Sequence, residues 1–336
     1  MIPMRDDFGR KLSYLRVSVT DRCNLRCQYC MPAQGIVPMD HAEILRYEEI
    51  VRVVRVMAGL GVERVRLTGG EPLVRKNIAE VAHRIKTLPG IRFLGLTTNG
   101  VHLYHAADEL LRAGVDGINI SLDTTDPSRY AAITRKDAFT DVMNGLSRAL
   151  SLGFGAVKIN CVLFPDAMVD DWLGVVELAK TRPVDVRLIE WMPIGGAADA
   201  PMMSADAALD IISRRFGVPQ ELPSLDAGAG PAKYWQIPGF AGRLGIIRAM
   251  SHSFCAQCNR LRLTPSGNLK LCLFYDVGIA LKPLIRGGAS DADLAGAIVQ
   301  CVAQKPKCHQ GMRMPAEGAN NQPLIERSCG MYDIGG

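Results

Sequence analysis

The sequence of 336 residues lacks any stretch of about 18 uncharged apolar residues, the length that a membrane-spanning helix requires. No membrane span is therefore expected. The segment Met1–Asp7 carries acidic side chains and no apolar core, so it does not have the pattern of a secretory signal. Internal repeats, low-complexity tracts and runs of like charge are also missing. These absences predict a cytoplasmic protein without a membrane partner.

Positive charge is present in moderate amount and is dispersed along the chain. The net charge is +5 and the pI is about 8.7. Such a balance suits a small polyanionic substrate, and the lack of basic clusters argues against nucleic acid as the partner. Hydrophobic residues make up 48% of the chain, which is enough for one large domain or two moderate ones.

Three cysteines in one short loop are the strongest chemical signal. Cys23, Cys27 and Cys30 have the spacing C-x3-C-x2-C, and Tyr29 precedes the last thiol. Three thiolates can hold three irons of a 4Fe–4S cluster and leave the fourth iron open. S-adenosylmethionine (SAM) can fill that position with its amino and carboxylate groups. A zinc site fits less well, because structural zinc usually takes four ligands, commonly in C-x2-C pairs. The loop resembles that of the radical SAM superfamily.

A second triad lies in the last third of the chain. Cys255, Cys258 and Cys272 have the spacing C-x2-C-x13-C. From these residues alone, a second 4Fe–4S cluster with one open iron and a zinc knuckle completed by His252 remain equal alternatives. With no export signal, all six cysteines point to metal rather than to disulfides.

Four arginines are candidates for binding an anion. Arg260 and Arg262 follow the second triad two residues apart, so on a strand they face the same way. Arg16 lies on the first predicted strand and Arg66 on the second. Guanidinium groups bind phosphate oxygens with paired donors, which makes these residues candidate ligand contacts.

Strands and helices alternate from about residue 12 to residue 192, in six consecutive βα units. This order predicts a parallel sheet with right-handed crossovers, which curves into an open, partial TIM-like barrel. The predicted strands are Leu15–Thr20, Arg64–Thr68, Phe93–Thr97, Ile118–Leu122, Val157–Leu163 and Val186–Glu190. The predicted helices are Tyr47–Ala58, Ile78–Leu88, Ala106–Ala113, Val142–Leu152 and Val169–Lys180.

The pattern changes after residue 192, so we predict a barrel core over 1–192 and a C-terminal α+β extension over 193–336. The extension contains predicted strands at Lys233–Ile237 and Leu244–Met250 and predicted helices at Val277–Ile285 and Asp291–Ala303. In the core, Lys158 lies on the inward face of a strand, where a lysine needs an anion. Glu190 or a bound ligand is the expected partner.

Motifs along nearly the whole chain resemble those of the GTP 3′,8-cyclase family of radical SAM enzymes. Members of this family catalyse the first step of molybdenum cofactor biosynthesis. The spacing of the second triad and the terminal Gly335-Gly336 are the most specific of these motifs. The others are Phe8-Gly9-Arg10, the first triad with Tyr29, Thr68-Gly69-Gly70-Glu71-Pro72-Leu73, Leu96-Thr97-Thr98-Asn99-Gly100, Ser121-Leu122-Asp123 and Asn259-Arg260-Leu261-Arg262-Leu263-Thr264.

The resemblance implies a role for each matching residue. The two triads would each bind a 4Fe–4S cluster, and the open iron of the second would hold the guanine. Arg16 would also assist the reduction of the nucleobase radical that completes the reaction. The Gly335-Gly336 tail would act within the active site. The SAM contacts would be Tyr29, Gly70, Ser121 and Met192, and the GTP contacts Arg16, Arg66, Thr97, Lys158, Arg260, Leu261 and Arg262.

The implied reaction is the radical cyclisation of GTP to (8S)-3′,8-cyclo-7,8-dihydroguanosine 5′-triphosphate. A 5′-deoxyadenosyl radical takes hydrogen from C3′ of the ribose, and C3′ then bonds to C8 of the guanine. The implied partners are a flavodoxin- or ferredoxin-type electron donor and the downstream cyclic pyranopterin monophosphate synthase (MoaC). A homodimer is compatible with the family.

The sequence leaves two alternative functions. A radical SAM enzyme that modifies peptides or matures sulfatases would carry more cysteines in its C-terminal region than this single extra triad. A non-enzymatic metal scaffold for a nucleotide or RNA would bind through its basic groups without cleaving SAM.

Overall fold

The computed structural model describes residues 4–192, 194, 202–223, 230–252 and 254–309. In this part of the chain, twelve strands form one sheet. Its order is β12-β11-β10-β1-β2-β3-β4-β5-β6-β9-β8-β7. The strands are β1 Tyr14–Ser18, β2 Arg64–Thr68, β3 Phe93–Thr98, β4 Gly117–Ser121, β5 Ala156–Leu163, β6 Asp185–Glu190, β7 Gln220–Glu221, β8 Lys233–Gln236, β9 Leu244–Ile247, β10 Arg260–Leu263, β11 Asn268–Lys270 and β12 Gly278–Ala280.

The middle of the sheet is parallel and its two margins are antiparallel. Strands β1 to β6 pair in chain order, and the parallel pairing continues to β10 beside β1 and to β9 beside β6. Antiparallel pairs join β10 to β11, β11 to β12, β9 to β8 and β8 to β7. The first and last strands of this order do not pair with each other among the described residues, so the curved sheet is open.

Helices connect the parallel strands and cover the outer face of the sheet. Three of the described helices begin at a side chain that caps a free backbone N–H group: Asp126 accepts from Arg129 N, Ser204 from Ala207 N and Ser290 from Asp293 N. No described helix is long and apolar enough to cross a membrane. The helices are α1 Tyr47–Gly59, α2 Ile78–Lys86, α3 Leu103–Arg112, α4 Pro127–Thr134, α5 Phe139–Ser151, α6 Val169–Thr181, α7 Ala205–Phe216, α8 Leu281–Arg286 and α9 Asp291–Val302.

The predicted partial barrel of six βα units is confirmed, and the C-terminal region extends it. β10 and β9 add one parallel strand at each side, because their backbone groups pair with the free edges of β1 and β6. The predicted helix Val277–Ile285 is wrong at its start, since Gly278–Ala280 form β12 and the helix begins at Leu281. Helices α4 and α7 were not predicted. The division at residue 192 stays a prediction, and the sheet itself runs across it.

Side chains alternate between the two faces of each parallel strand. On β5, Val157, Ile159 and Cys161 are buried towards the helices, whereas Lys158 and Asn160 are half-buried on the inner face. The same alternation corrects the expectation for Leu261. Its side chain is fully buried in the core beside Leu15, on the face of β10 opposite to that of Arg260 and Arg262. Leu261 can therefore offer a ligand only its main chain.

Leu261→Ala should lower the free energy of unfolding by about 2–5 kcal/mol, because it opens a cavity in a packed core. Urea denaturation of the protein would measure this loss. Val299→Ala on α9 is the control, since Val299 is 49% exposed and its truncation should change stability by less than about 0.5 kcal/mol. An equal, small effect of both substitutions would contradict the core placement of Leu261.

Candidate active site between two cysteine triads

The first triad opens onto a cavity of about 170 Å³ at the carboxyl ends of the parallel strands. Cys23, Cys27 and Cys30 lie in the loop after β1, and all three line this cavity. The four residues predicted to contact SAM line it too, although they come from four separate segments: Tyr29, Gly70, Ser121 and Met192. The sheet therefore brings the predicted thiols and the predicted SAM contacts to one place.

The three thiols fit a cluster held by thiolates. None of the three forms a disulfide among the described residues, and each is half-buried. Leu25 N donates to Cys23 Sγ at 3.4 Å, and Asn99 Nδ2 approaches the same sulfur at 3.8 Å. Burial raises the pKa of Cys23 and Cys27, so these thiolates need a positive partner such as iron to form at neutral pH. The loop thus supplies three thiol ligands, and hydrogen bonds to Cys23 would stabilise negative charge on its sulfur.

Gly70 connects the cysteine loop to the end of β2. Gly70 N donates to Thr20 O at 2.7 Å, and Glu71 N donates to Arg22 O at 2.8 Å. A Cβ on Gly70 would lie 2.4 Å from Arg22 O and 2.7 Å from Asp21 O. Glycine is therefore required here by the backbone of the cysteine loop itself, in addition to any need for close approach to a ligand.

Glu71 is a buried hub that the sequence analysis did not single out. Its carboxylate accepts hydrogen bonds from Thr98 Oγ1 at 2.7 Å, Asn99 N at 2.6 Å and Leu73 N at 3.0 Å. Burial outweighs these bonds and raises the pKa of Glu71 to about 7. The residue holds together the ends of β2 and β3, and so positions Asn99 beside Cys23.

Tyr29 is held from two sides. Its hydroxyl donates to Asp123 Oδ2 at 2.5 Å, and its ring stacks on Phe164 with the centroids 5.2 Å apart. Trp191 meets the ring edge at 6.0 Å. Asp123 also accepts from Val162 N at 2.8 Å, yet burial raises its pKa to about 6. These contacts fix the loop between Cys27 and Cys30 against the ends of β4 and β5.

A row of arginines crosses the inner face of the sheet. Arg262 on β10 is in register with Arg16 on β1, which is in register with Arg66 on β2. Arg260 is two residues before Arg262 and shares its face. Burial and the neighbouring Arg262 lower the pKa of Arg16, and burial with Arg260 lowers that of Arg262 to about 10. Bringing these cations together costs free energy that a bound polyanion would recover.

Arg66 is anchored by two hydrogen bonds. Its Nε donates to the Tyr14 hydroxyl at 2.7 Å, and its Nη1 donates to Leu96 O at 3.0 Å. A Cβ on Gly95 would lie 2.6 Å from its Cζ, so glycine at this position makes room for the guanidinium. Burial raises the pKa of Tyr14, but Arg66, Arg16 and Arg260 outweigh burial and lower it to about 7.

Lys158 has a different partner from the expected one. Its Nζ lies 3.3 Å from Asp185 Oδ2 and 2.9 Å from the Tyr234 hydroxyl. Asp185 is its in-register neighbour on β6, whereas Glu190 pairs with Leu163 at the other end of the strand. The expectation of Glu190 is therefore wrong. Glu190 instead accepts hydrogen bonds from Ala205 N, Met250 N, Ser251 N and Ser251 Oγ.

Two cations from distant segments support the second triad. Arg10 Nη1 donates to Cys255 O at 2.8 Å, and the Arg10 side chain is paired with Asp6. Lys305 is buried and donates to Arg260 O at 3.0 Å and to Leu271 O, next to Cys272. Burial raises the pKa of Cys258, but Lys305, Arg260 and Arg10 outweigh it and lower that pKa below its ordinary value. This setting favours thiolate ligands.

The structure also bears on the zinc alternative. His252, its expected fourth ligand, is exposed and lies 3.3 Å from Ser251 Oγ. In the described ranges, no group of three or more Cys, His, Asp or Glu side chains is arranged to hold a single metal ion. Gly335, Gly336 and Cys329 lie outside the described residues.

Taken together, an open βα barrel with a C-x3-C-x2-C loop at its carboxyl face defines a radical SAM protein. The sequence matches the radical SAM superfamily over residues 17–179 and Molybdenum Cofactor Synthesis C over residues 184–311. Solved structures of Streptococcus suis SuiB share the fold. The one bound to the precursor peptide SuiA has a TM-score of 0.59 at 13% identity and covers 88% of this chain and 65% of that one.

Curated relatives narrow the class. "GTP 3′,8-cyclase" of Pelotomaculum thermopropionicum is 45% identical over 91% of this chain and 95% of its own length, and that of Heliobacterium modesticaldum is 42% identical over 99% and 100%. "Molybdenum cofactor biosynthesis protein 1" of Mus musculus is 42% identical over 96% of this chain. The chain spans about half the length of the animal relatives it matches. It belongs to the family that these proteins form.

Gly70→Ala should prevent the first triad from holding iron, because the new methyl group displaces the cysteine loop from β2. Iron and sulfide analysis after anaerobic reconstitution would show the second cluster only. Gly59→Ala is the matched control, since a Cβ there meets nothing within 4 Å. A full iron content in Gly70→Ala would contradict the proposed role of this contact.

Glu71→Gln should flatten the dependence of stability on pH in the metal-free protein. With a native pKa of about 7 against an ordinary 4.5, native Glu71 binds more protons than the unfolded chain between these values. Stability of the parent therefore falls as pH rises through this window, and glutamine removes that contribution. Urea denaturation at several pH values would measure the slope, with the exposed Glu109→Gln as control. An unchanged slope in Glu71→Gln would refute the prediction.

Proposed function

We propose that this protein is a radical SAM GTP 3′,8-cyclase that makes (8S)-3′,8-cyclo-7,8-dihydroguanosine 5′-triphosphate in the first step of molybdenum cofactor biosynthesis. The observation that carries the proposal is the arginine row of Arg262, Arg16 and Arg66. Arg262 follows Cys258 of the second triad closely in the chain, and Arg66 lies on β2, whose last residue, Thr68, lines the cavity of the first triad. A nucleoside triphosphate carries the negative charge that such a row would bind.

Cys23, Cys27 and Cys30 would hold the SAM-binding 4Fe–4S cluster, and Cys255, Cys258 and Cys272 would hold the second one. When bound, the first cluster and SAM supply a carbon radical that abstracts hydrogen. The protein's own contribution is to place SAM against Tyr29, Gly70, Ser121 and Met192 on the cavity wall. The ring contacts of Tyr29 with Phe164 and Trp191 exclude water from this end.

The inner face would bind the triphosphate and ribose. Arg16, Arg66, Arg260 and Arg262 supply paired donors for phosphate oxygens. Thr97 Oγ1 is buried on the cavity wall with no hydrogen-bond partner among the described residues, which makes it a donor for a ribose or phosphate oxygen. Lys158, held by Asp185 and Tyr234, is a further cation on this face.

The proposal keeps several parts that rest on the family alone. Arg16 would assist the final reduction, Gly335 and Gly336 would complete the active site, and Leu261 would contribute its main chain. An electron donor of the flavodoxin or ferredoxin type, transfer of the product to cyclic pyranopterin monophosphate synthase, a cytoplasmic location and a homodimer belong to the same set.

The proposal is tested anaerobically. The protein is reconstituted with iron and sulfide, reduced with dithionite and given SAM with or without GTP. GTP-dependent 5′-deoxyadenosine together with an isomer of GTP in the mass spectrum is the expected result. SAM cleavage at the same rate with and without GTP would refute GTP as the substrate. The absence of both iron and SAM cleavage would favour a non-enzymatic scaffold.

Cys272→Ala should separate the two clusters functionally. It removes a ligand of the second triad but leaves the first untouched, so SAM cleavage should persist while GTP conversion falls by at least about two orders of magnitude. Quantified 5′-deoxyadenosine and cyclised product would report the two activities. Cys308→Ala is the control, because Cys308 is exposed and outside both triads. Normal cyclisation by Cys272→Ala would exclude a role for the second cluster.

A further inference from the structure

A second cavity, of about 870 Å³, adjoins the cysteine loop and has no place in the proposed reaction. It shares no lining residue with the cavity that the three thiols line. It meets the loop at Thr20 and Arg22, immediately before Cys23. Its other walls are the segment before α1 and the segment between β2 and α2, formed by His41, Ala42, Ile44, Leu45, Arg46, Val74, Arg75 and Lys76.

The lining of this cavity is basic. Arg22, His41, Arg46 and Lys76 are exposed at it, and we call these four residues the outer basic face. No aspartate or glutamate lines the cavity. Three carboxylates nearby in sequence pair with cations outside the cavity: Glu43 with Lys282, Glu48 with Arg84 and Glu49 with Arg286. Two others accept backbone hydrogen bonds, Asp40 from Ala42 N and Asp21 from Met39 N.

The floor beneath these cations is rigid. The Arg75 guanidinium donates to Val19 O at 2.5 Å and to Leu45 O at 2.8 Å, and it stacks on the Tyr47 ring at 4.0 Å. Arg75 thereby joins the start of the cysteine loop to the walls of the cavity. A partner bound at the outer basic face would thus be held at a constant distance from the first triad.

Cys23 lines two separate cavities. It lines the inner cavity with the predicted SAM contacts. It also lines a third cavity of about 340 Å³ with Arg22 and Arg26. Arg22 is common to this third cavity and to the basic one. Arg22 therefore connects the basic cavity to a cavity that reaches Cys23, and Cys23 also lines the inner cavity.

We propose that the outer basic face is the docking site for a small acidic electron-transfer protein, which reduces the first cluster from the side away from the inner cavity. The inference rests on the proposed function. In the transfer, the donor loses one electron and the cluster gains one, with no bond formed or broken.

An acidic protein fits this face better than a small anion does. The four side chains are exposed, they come from three segments, and Arg22 Nη2 lies 3.3 Å from His41 Nε2. This is an open, hydrated arrangement and not a desolvated phosphate site. Exposed charges of one sign chiefly raise the rate of encounter and set the orientation of a partner, which is what a transient redox complex requires.

The test compares two electron sources. Reduced flavodoxin, an acidic protein, is mixed with the reconstituted protein, and reduction of the first cluster is followed by stopped-flow absorbance. The variant Arg46→Glu/Lys76→Glu reverses two exposed charges without touching the cysteine loop. Arg112→Glu/Lys180→Glu, at the ends of α3 and α6, makes the same change in net charge elsewhere. A neutral variant, Arg46→Gln/Lys76→Gln, accompanies both.

At low ionic strength, flavodoxin should reduce the charge-reversed variant at least about tenfold more slowly than the parent. The rate for the neutral variant should lie between these two rates. The difference should shrink as salt screens the charges. Turnover driven by dithionite should be unchanged. Equal flavodoxin rates in parent and reversed variant, or an equal loss in the control variant, would overturn the docking face. Face-dependent reduction without any GTP product would uphold the face and refute the cyclase.

Discussion

The position of the cysteine loop depends on backbone hydrogen bonds that join it to the end of β2. The hydrogen bonds from Gly70 N to Thr20 O and from Glu71 N to Arg22 O leave no space for a side chain at residue 70. Glu71, fixed by the same contact, positions Asn99 beside Cys23. One close backbone approach therefore determines where the three thiols lie and what lines the cavity next to them.

The second organising constraint is strand register. In-register parallel pairing brings Arg262, Arg16 and Arg66 side by side, although they are far apart in the chain. The arginines repel one another, and hydrogen bonds offset part of this repulsion. Arg66, for example, donates to the Tyr14 hydroxyl and to Leu96 O. The inner row thus concentrates positive charge on the inner face of the sheet, while the residues of the outer basic face are exposed. The two basic regions differ in burial and so in the kind of partner they can take.

Much of this could be predicted from local patterns. The alternation of β-branched strands and amphipathic helices reports the βα order, and the cysteine spacings report the two triads, because both signals are short-range. Helix α4 was missed because eight residues carry little periodicity, and residues 278–280 were misassigned because a short strand leads directly into a helix. Lys158 received the wrong partner because the sequence does not state which residue of β6 lies opposite it.

The sequence by itself determined the order of the elements, the class of chemistry and the residues able to hold metal, since these depend on residue type and spacing. Only the tertiary structure decided that β10 and β9 extend the sheet and that Leu261 faces the core. Only it placed Arg10 and Lys305, from opposite ends of the described chain, beneath the second triad. Such facts follow from pairing between distant segments, and neither composition nor periodicity encodes which distant segments meet.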